Sequence, residues 1–541
     1  MANLFKPVID RQKWVQVVPT PNAHAAGMGI ASDLRNDVSR NPSVFQLSSA
    51  TVLNRFNMIQ KAWDFVVSPA LGGTFGAGAG AVFAPSHSLV GTIDAASTTD
   101  TIKTATVITA VGVNMLANRG GGGNYGFKIR IIGDAAGSSG KVEERWIIGN
   151  TGGTTPTLTL DTPLSFAPVA GDHYEILSGK VYCLSAGALA ANSFKSFEVA
   201  TNTVSGNLSN VNLPTTISTE FSAVALDEQY TPYTRKPGEG FLVTEGVTYN
   251  GAGAPLLALK ASAADATTIT GTAGGGDAAV LLNEYRNFQI RIVEDTSNTT
   301  AVGQRAVIAS HTAGPAPVYT LGAAWAVTPS IDAKYVIEYP NLIVLFSSAT
   351  GTTYVYNYSA ASINNGTTTI NAGAWSTTYF GVRGANMGAG CVTFASFGMV
   401  PDPAKNARHS YIFSFRGAGT ATLDVLDIAG GPSGAWTNGA VYDGARALGT
   451  ATCGKYAPAA DEGRFGYLNI YVASATNQIY RFDVKNRVLT AHTPTDWIQA
   501  GTAAAGDRLA TYVAIDGTDK YTVLLLISHL STISQELIVQ I

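Results

Sequence analysis

The sequence predicts an all-β protein, because strand-like alternation, frequent turn residues and a lack of helical periodicity extend through the whole chain. Segments of four to seven residues alternate apolar and polar side chains and are rich in Val, Ile, Tyr, Phe and Thr, as half-buried strands are. Clusters of Gly, Asn, Pro and Ser separate these segments, which is typical of tight turns. Almost no stretch has the apolar spacing of a helix. We therefore expect meanders of short strands.

A three-strand phrase recurs along the chain and predicts repeated sheet units. A small-residue strand near a glycine comes first, an apolar strand second and a Tyr-x-Phe/Tyr-Asp strand third, as at residues 451–456, 467–472 and 478–484. The innermost strand of a β-propeller blade lines a crowded channel, and the middle strands pack against neighbouring blades. The phrase resembles the kelch-like blade, and its count implies about six blades. The units are expected to start near residues 27, 80, 240, 390, 450 and 508.

The last unit stops one strand short, and the other end of the chain supplies the missing strand. Residues 12–18 have a strand pattern and are followed by Pro19 and Pro21, as an outer edge strand would be. We predict that this N-terminal strand pairs with the C-terminal unit and closes the ring, so that no seam is exposed.

One motif occurs twice, at residues 119–182 and 280–345. The pattern Phe-x-Ile-Arg-Ile begins at Phe127 and returns at Phe288, 161 positions later; the strand at Arg145 returns at Arg305 after 160 positions, and the next two strands return after 161. A single loop insertion explains that difference, so we expect the copies to share a fold. Each copy lies between the first and second strands of a unit, which predicts two inserted β-modules in the second and third blades. The expected division is a discontinuous propeller at 1–90, 179–257 and 341–541, with modules at 91–178 and 258–340.

Composition excludes several classes of protein. Charged residues are 13% of the 541 residues and hydrophobic residues 46%, which argues against disorder, and a net charge of −3 gives no basic footprint for nucleic acid. No window approaches the ~18 apolar residues of a membrane span, so we expect no membrane insertion. The N-terminus lacks the pattern of a signal peptide, which predicts synthesis in a cytoplasm. Three widely spaced cysteines, Cys183, Cys391 and Cys453, predict reduced thiols rather than disulfides.

The usual catalytic and metal-binding motifs are missing from the sequence. The seven histidines are scattered with no His-x-His, His-Glu-x-x-His or Cys-x-x-Cys spacing, which predicts no metal site. The glycine-rich stretches 76–80 and 120–123 do not lie between a strand and a helix, as a phosphate-binding loop would. There is no Gly-x-Ser-x-Gly elbow. We expect no enzyme activity and no cofactor.

Two groups of charged residues are candidate interfaces with other molecules. Residues 31–40 form a loop of alternating charge, and exposed loops on a rigid scaffold often carry function. The two copies of the motif place cations on short strands, where a charge can also block edge-to-edge pairing. The candidate interface residues are Arg35, Asp37, Arg40, Arg119, Arg130, Arg286 and Arg291.

As a whole, the chain resembles virion structural proteins of tailed bacteriophages. The module phrase, in which Phe-x-Ile-Arg-Ile is followed by the strand at 303–308, a Thr-Leu turn and Tyr-x-Ile, is similar to small β-modules of phage tail and fibre proteins. The expected propeller is similar in type to the nozzle proteins of short-tailed phages, in which six copies surround the DNA exit channel. The resemblance implies a tail nozzle or hub protein that is assembled in the host cytoplasm and forms a six-fold ring beside neighbouring virion proteins. DNA would pass without sequence-specific binding, and no functional residue is carried over.

Three other functions stay open on the sequence. A receptor-binding, fibre or decoration protein would bind glycans through aromatic side chains, for which Trp146 and Trp325 are candidates. A kelch-type interaction scaffold would bind a peptide on its central face. A propeller enzyme would need carboxylates or metal ligands at the channel mouth, and the small apolar first strands offer none.

Overall fold

The computed structural model describes most of the two inserted modules and the strands of the surrounding sheets. The described residues are 15–16, 19–21, 29–32, 43–47, 52–57, 62–64, 75, 79–86, 89–117, 126–185, 194–205, 221–228, 259–272, 280–347, 350–396, 400–402, 407–448, 452–457, 467–472, 478–492, 508–516, 519–527 and 534–540. They form 40 β-strands, and they include the short 3-10 helix Thr299–Ala301. The protein is therefore all-β, as its strand alternation predicts.

Six antiparallel sheets of four strands follow one another along the chain, and in the first five the strands are hydrogen-bonded in chain order. The first sheet has β2 (Ile30–Ser32), β3 (Ser43–Leu47), β4 (Leu53–Asn57) and β5 (Ala62–Asp64). The second has β6 (Gly80–Ala84), β13 (Lys180–Leu184), β14 (Phe194–Glu198) and β15 (Thr203–Val204). The third has β16 (Phe221–Leu226), β23 (Leu342–Ser347), β24 (Thr353–Asn357) and β27 (Trp375–Ser376).

The remaining three sheets have the same design. The fourth has β28 (Val392–Ala395), β31 (Tyr411–Phe415), β32 (Leu423–Asp427) and β33 (Ala435–Thr437). The fifth has β34 (Thr452–Ala457), β35 (Tyr467–Val472), β36 (Gln478–Asp483) and β37 (Val488–His492). The sixth has β38 (Arg508–Asp516), β39 (Asp519–Ile527) and β40 (Ser534–Gln540), and its fourth strand is β1 (Val15–Gln16). Two short hairpins, Ile363–Asn364 with Thr369–Ile370 (β25 and β26) and Val400–Asp402 with Ala407–His409 (β29 and β30), complete this part.

The two ends of the chain meet in the sixth sheet. Val15 pairs with Glu536 and Gln16 with Gln535, so β1 lies antiparallel beside β40. The N-terminal strand therefore completes the C-terminal sheet, which confirms the pairing expected from the sequence. β1 thus covers the outer edge of β40 at Gln535 and Glu536.

The first strands of the six sheets contact one another in a closed order. β2 contacts β6, β6 contacts β16, β16 contacts β28, β28 contacts β34, β34 contacts β38, and β38 returns to β2. Glycines allow two of these approaches, because a Cβ added to Gly29 would lie 2.3 Å from the Ala81 nitrogen and one added to Gly80 would lie 2.4 Å from the Phe221 ring. The first strands thus have small residues near their start because neighbouring sheets approach closely there.

The hydrophobic core lies between neighbouring sheets. Tyr182 and Phe194 of the second sheet pack with Ile343 and Tyr356 of the third. In the fourth and fifth sheets, the buried Phe482 ring is surrounded by the rings of Phe394, Phe413, Phe415 and Tyr442. The second strands of the third and fourth sheets, β23 and β31, are apolar over most of their length, as the three-strand phrase predicts for a second strand.

The start of the third sheet differs from the sequence-based expectation. Its first strand is Phe221–Leu226, and Val224 pairs with Val344, whereas the sequence suggested a strand near residue 240. Residues 240–243 lie outside the described residues. The strand at 221–226 provides the small and apolar residues that a first strand needs, and its length matches β23 residue for residue.

The two copies of the motif have the same strand order. The first copy contains β7 (Leu89–Thr92), β8 (Thr101–Lys103), β9 (Lys128–Ile132), β10 (Val142–Asn150), β11 (Thr157–Leu160) and β12 (His173–Leu177), in the order β7-β12-β9-β10-β11-β8. The second contains β17 (Leu259–Ala264), β18 (Thr268–Gly271), β19 (Gln289–Glu294), β20 (Arg305–His311), β21 (Val318–Leu321) and β22 (Lys334–Glu338), in the order β17-β22-β19-β20-β21-β18. In the second copy β17 also pairs with β18 and closes the sheet on itself. We name these sheets module 1 and module 2.

Deletion of residues 1–18 tests the contribution of β1. The deletion turns β40 into an edge with unpaired backbone groups, so we expect a melting temperature lower by about 1 °C for each kcal/mol of stability lost, and more self-association. Differential scanning calorimetry and size-exclusion chromatography measure the two effects. A variant that lacks only residues 1–10 is the control and should behave like the full chain. Equal melting temperatures for the 1–18 deletion and the full chain would show that the pairing of β1 contributes nothing.

Candidate functional site

The centre of module 1 contains a fully buried arginine. Arg130 lies on the central strand β9, and the strand pairing places Glu144 on one side of it and Glu175 on the other. Its Nε donates to Glu144 Oε1 over 2.9 Å, and its Nη1 donates to Glu175 Oε2 over 2.6 Å. The same Nη1 also lies 2.6 Å from Oε1 of Glu228, which follows strand β16 of the third sheet. One guanidinium thus connects module 1 to the sheet that carries module 2.

Module 2 contributes two arginines to the same region. Arg291, on β19, donates from Nε and Nη2 to the two carboxylate oxygens of Glu338 over 2.9 Å each, the bidentate geometry that suits this pair. Arg305, on β20, donates from Nε to Glu228 Oε2 over 3.0 Å and from Nη2 to Glu175 Oε2 over 3.1 Å. Arg305 therefore bonds to a glutamate of module 1 and to the glutamate of the third sheet at once.

Three arginines and four glutamates form one connected group, which we call the ion cluster. Its members are Arg130, Arg291, Arg305, Glu144, Glu175, Glu228 and Glu338. Arg130, Arg291, Glu228 and Glu338 are each at most 3% exposed. Buried charges of this kind are tolerated only when each has a hydrogen-bonded partner of opposite sign. The cluster fixes the positions of module 1, module 2 and the end of β16 relative to one another.

Burial and the neighbouring arginines shift the pKa values of Glu175 and Glu228 in one direction and that of Glu338 in the other. Burial alone would raise the pKa of Glu228, but Arg305 and Arg130 outweigh it and hold that pKa far below its usual value. Burial would also raise the pKa of Glu175, but Arg305 and Arg130 outweigh it, and that pKa is lowered as well. At Glu338 burial prevails over Arg291, and the pKa is raised. Glu175 and Glu228 are therefore ionised at neutral pH and cannot act as general acids, which require a raised pKa.

Backbone and apolar contacts join the two modules beside the cluster. The Asp295 amide of module 2 donates to the Gly140 carbonyl of module 1 over 2.7 Å. Ile132 and Val142 of module 1 are part of the hydrophobic core of module 2. Polar contacts also connect the chain segments at the base of the modules, where Ser86 Oγ lies 2.8 Å from Asp227 Oδ2 and 3.0 Å from Asn341 Oδ1 and can donate to either oxygen.

A cleft opens between module 2 and the loops of the third sheet, next to the ion cluster. It has a volume of about 610 Å³, and its walls include Trp325 of module 2 and Tyr356 of the third sheet. Glu175 and Arg305 of the cluster also line it, with side chains that are 14% and 23% exposed. We call this space the module cleft.

The structure gives two of the candidate interface arginines a role inside the chain. Arg130 and Arg291 are buried in the ion cluster, and a buried guanidinium that is bonded to its own chain offers no surface to a partner. Arg286 is partly buried, its Nε donates to the Ala309 carbonyl over 3.1 Å, and burial lowers its pKa. The other candidates, Arg35, Asp37, Arg40 and Arg119, lie outside the described residues.

The glutamates of the cluster were not predicted from the sequence. Glu144 and Glu175 lie on strands that pair with β9, and cross-strand ion pairs of this kind are common in antiparallel sheets. The sequence contains one indication of the cluster. The arginine of Ile-Arg-Ile recurs in both copies of the motif, and each copy has a glutamate on a neighbouring strand. Glu228 gave no such signal, because it is 98 positions from Arg130.

Within the described part of the chain, the histidines and cysteines do not cluster into a metal-binding or catalytic group. No group of three or more His, Cys, Asp or Glu there could hold a metal ion. His173 Nδ1 lies 2.8 Å from Asp134 Oδ2, and His409 Nδ1 lies 2.5 Å from Asp427 Oδ2. Cys183 is a buried free thiol, and burial raises its pKa to about 12, which makes it a poor nucleophile.

Comparison with protein-family models and with curated proteins found no match to this chain. Among the described residues, no helix has the length and apolar character needed to cross a membrane. The sheets, the ion cluster and the module cleft are therefore the features from which a function can be inferred.

Substitution of Arg130 by Met tests the ion cluster. The change leaves Glu144, Glu175 and Glu228 with less positive charge in a buried site, so we expect a loss of about 3–5 kcal/mol in the free energy of unfolding. Urea denaturation followed by tryptophan fluorescence measures it. Lys260→Met is the matched control, since Lys260 and its partner Asp332 are exposed, and it should cost less than about 1 kcal/mol. Similar losses in the two variants would contradict a special role for the cluster.

The variant Glu228→Gln tests the charge state of the cluster through pH. A carboxyl group whose pKa is lowered by folding stabilises the protein above its unfolded pKa, about 4.3 for Glu, and that stability is lost as the pH falls further. The difference in unfolding free energy between wild type and variant should therefore be largest at pH 7 and shrink below about pH 4.3. Urea denaturation at several pH values measures this difference. A difference that stays constant down to pH 3 would mean that Glu228 is not stabilised as an ion.

Proposed function

We propose that this chain is a structural protein of a bacteriophage virion, a tail nozzle or hub component that assembles into a ring. In this proposal the six sheets are the blades of one kelch-like β-propeller. The observation that carries it is the closed order of contacts among the six first strands, together with the pairing of β1 with β40. A ring of sheets that is fastened by the two chain ends has no open seam for unfolding or aggregation to start from.

The physical demands on a virion component support this proposal. Such a protein must persist outside the cell, and its durability depends on slow unfolding more than on equilibrium stability. Sheets that bring together distant parts of the chain form slowly and open slowly. Here Val15 pairs with Glu536, and β6 pairs with β13 across an intervening module. These pairings provide durability without a disulfide between the described cysteines Cys183 and Cys391.

The modules are the proposed attachment elements. They are inserted after β6 and β16, and the ion cluster holds them as one unit. A rigid pair of modules on one rim of a propeller can contact neighbouring subunits or tail proteins without changing the propeller core. DNA would pass through the ring of subunits without sequence-specific contacts.

Mass measurement of the purified protein and electron cryomicroscopy of particles test the proposal. We expect a ring of about six 56.2-kDa chains, and density for the protein at the tail of the virion. Alanine substitution of Arg35, Asp37 and Arg40 together should reduce the assembled fraction, whereas alanine at the exposed Lys260 and Asp332 should leave it unchanged. A chain that stays monomeric at high concentration and is absent from particles would refute the proposal.

A further inference from the structure

A lysine and a glutamate face each other across the second sheet, close to the point where the chain leaves module 1. Lys180 of β13 is paired with Glu198 of β14, and its Nζ lies 3.7 Å from Glu198 Oε2. This separation is longer than a hydrogen bond, and Oε2 is buried without a hydrogen-bond partner among the described residues. The two groups are therefore near neighbours, but their ion pair does not satisfy the carboxylate.

The pair lies in a place that is largely closed to water. The Glu198 side chain is 7% exposed and the Lys180 side chain 23%. The ring of Phe83 lies against the backbone beside Lys180, since a Cβ added to Gly179 would be 2.5 Å from that ring. Burial raises the pKa of Glu198 and lowers the pKa of Lys180, because a charged group is costly there. Transfer of one proton between them produces an amine beside a carboxylic acid.

Two donors hold the other oxygen of the same carboxylate. Ser178 Oγ donates to Glu198 Oε1 over 2.6 Å, and the Ala200 amide donates to it over 3.3 Å. Donors placed in this way stabilise the negative charge that develops on a carbonyl oxygen when a nucleophile adds to its carbon. The oxygen that has no such donors is Oε2, the one nearer to Lys180. The arrangement thus distinguishes an oxygen that is retained from an oxygen that can leave.

From this geometry we propose that Lys180 and Glu198 become joined by a covalent amide bond between their side chains. The uncharged Nζ attacks Glu198 Cδ, and Ser178 and Ala200 bind the charge that develops on Oε1. Oε2 already carries one proton, takes a second from the nitrogen and leaves as water. An N–C bond forms, a C–O bond breaks, and no oxidant or reductant is needed. Reactants that a fold holds in position can react as if at an effective concentration of about 10⁵ M or more.

The amide bond fastens β13 to β14 at the base of module 1. It closes a loop over residues 180–198, and a cross-link of this kind restricts the unfolded chain as a disulfide does. It also remains closed when the hydrogen bonds between the two strands open, so it slows complete unfolding. The bond does not depend on the proposed virion role, because every group that forms it belongs to a single chain.

Intact-mass spectrometry of the denatured full chain tests the bond. We expect a mass that is lower than the sequence mass by one water molecule. Peptide mapping with trypsin should find the peptides that contain Lys180 and Glu198 joined to each other, with no cleavage after Lys180. Lys180→Arg keeps the positive charge but removes the nucleophile, and Glu198→Ala removes the carboxyl group. Both variants should have their full sequence mass.

The variant Ser178→Ala tests the role of the donors on Oε1. Loss of one such donor should slow the formation of the bond about tenfold or more, measured as the decrease in mass over time after cell-free synthesis. A Ser178→Ala variant that cross-links at the wild-type rate would contradict the role of Ser178 in the reaction.

A second lysine–glutamate pair, in module 2, is the matched control. Lys334 is paired with Glu294 across β22 and β19, and its Nζ donates to Glu294 Oε1 over 2.8 Å. Their side chains are 34% and 17% exposed, so water reaches this pair more readily. We expect no amide bond here, and Lys334→Arg should leave the loss of one water molecule unchanged.

The mass and the peptide map decide the proposal on the wild-type chain alone, so a variant that fails to fold does not prevent the decision. A chain at its full sequence mass overturns the amide bond, as does a loss of water that maps to other residues or persists in Lys180→Arg. A joined peptide that contains Lys180 and Glu198 supports it. Because the measurement is made on denatured single chains, failure of the ring to form would leave this result unaffected.

Discussion

The buried ion cluster is the constraint on which the arrangement of the modules depends. Removing a charged side chain from water costs several kcal/mol, and the cost is offset only when oppositely charged partners are held at hydrogen-bond distance. Glu228 has such partners in both modules, Arg130 and Arg305. If either module moved, Glu228 would stay buried with less compensation. The cluster therefore contributes more to fixing a single arrangement than to the total stability, a role that buried ion networks have in some proteins.

The strand order of the modules explains why the sheets tolerate their insertion. In module 1 the entering strand β7 pairs with the leaving strand β12, so Thr92 lies opposite His173. In module 2 β17 and β22 are paired in the same way, with Leu259 opposite Tyr335. The chain thus enters and leaves each module at neighbouring points. Those points match the short gap between the first and second strands of a sheet, and the register from β6 to β13 continues without a shift.

Local sequence patterns predicted much of the fold, because strand alternation and turn residues are local properties. The closing strand was predictable for a different reason. The C-terminal sheet lacks one strand in the sequence pattern and the N-terminus has one strand without a sheet, so the simplest arrangement pairs the two. The first strand of the third sheet was not predictable, since the small residues near Gly240 fit the pattern as well as those at 221–226. Only the pairing of Val224 with Val344 decides between them. The roles of Arg130 and Arg291 were not predictable either, because the burial of each arginine depends on Glu228 and on the other module, which are distant in the sequence.

The two modules place their glutamates differently around equivalent arginines. Arg130 and Arg291 occupy equivalent positions, but Glu175 lies directly opposite Arg130, whereas Val336 lies opposite Arg291 and Glu338 is two residues further along β22. The displaced glutamate leaves room in module 2 for Arg305 to bond across the junction to Glu175. Arg305 and Glu175 therefore join the two modules, and both also line the module cleft between module 2 and the third sheet.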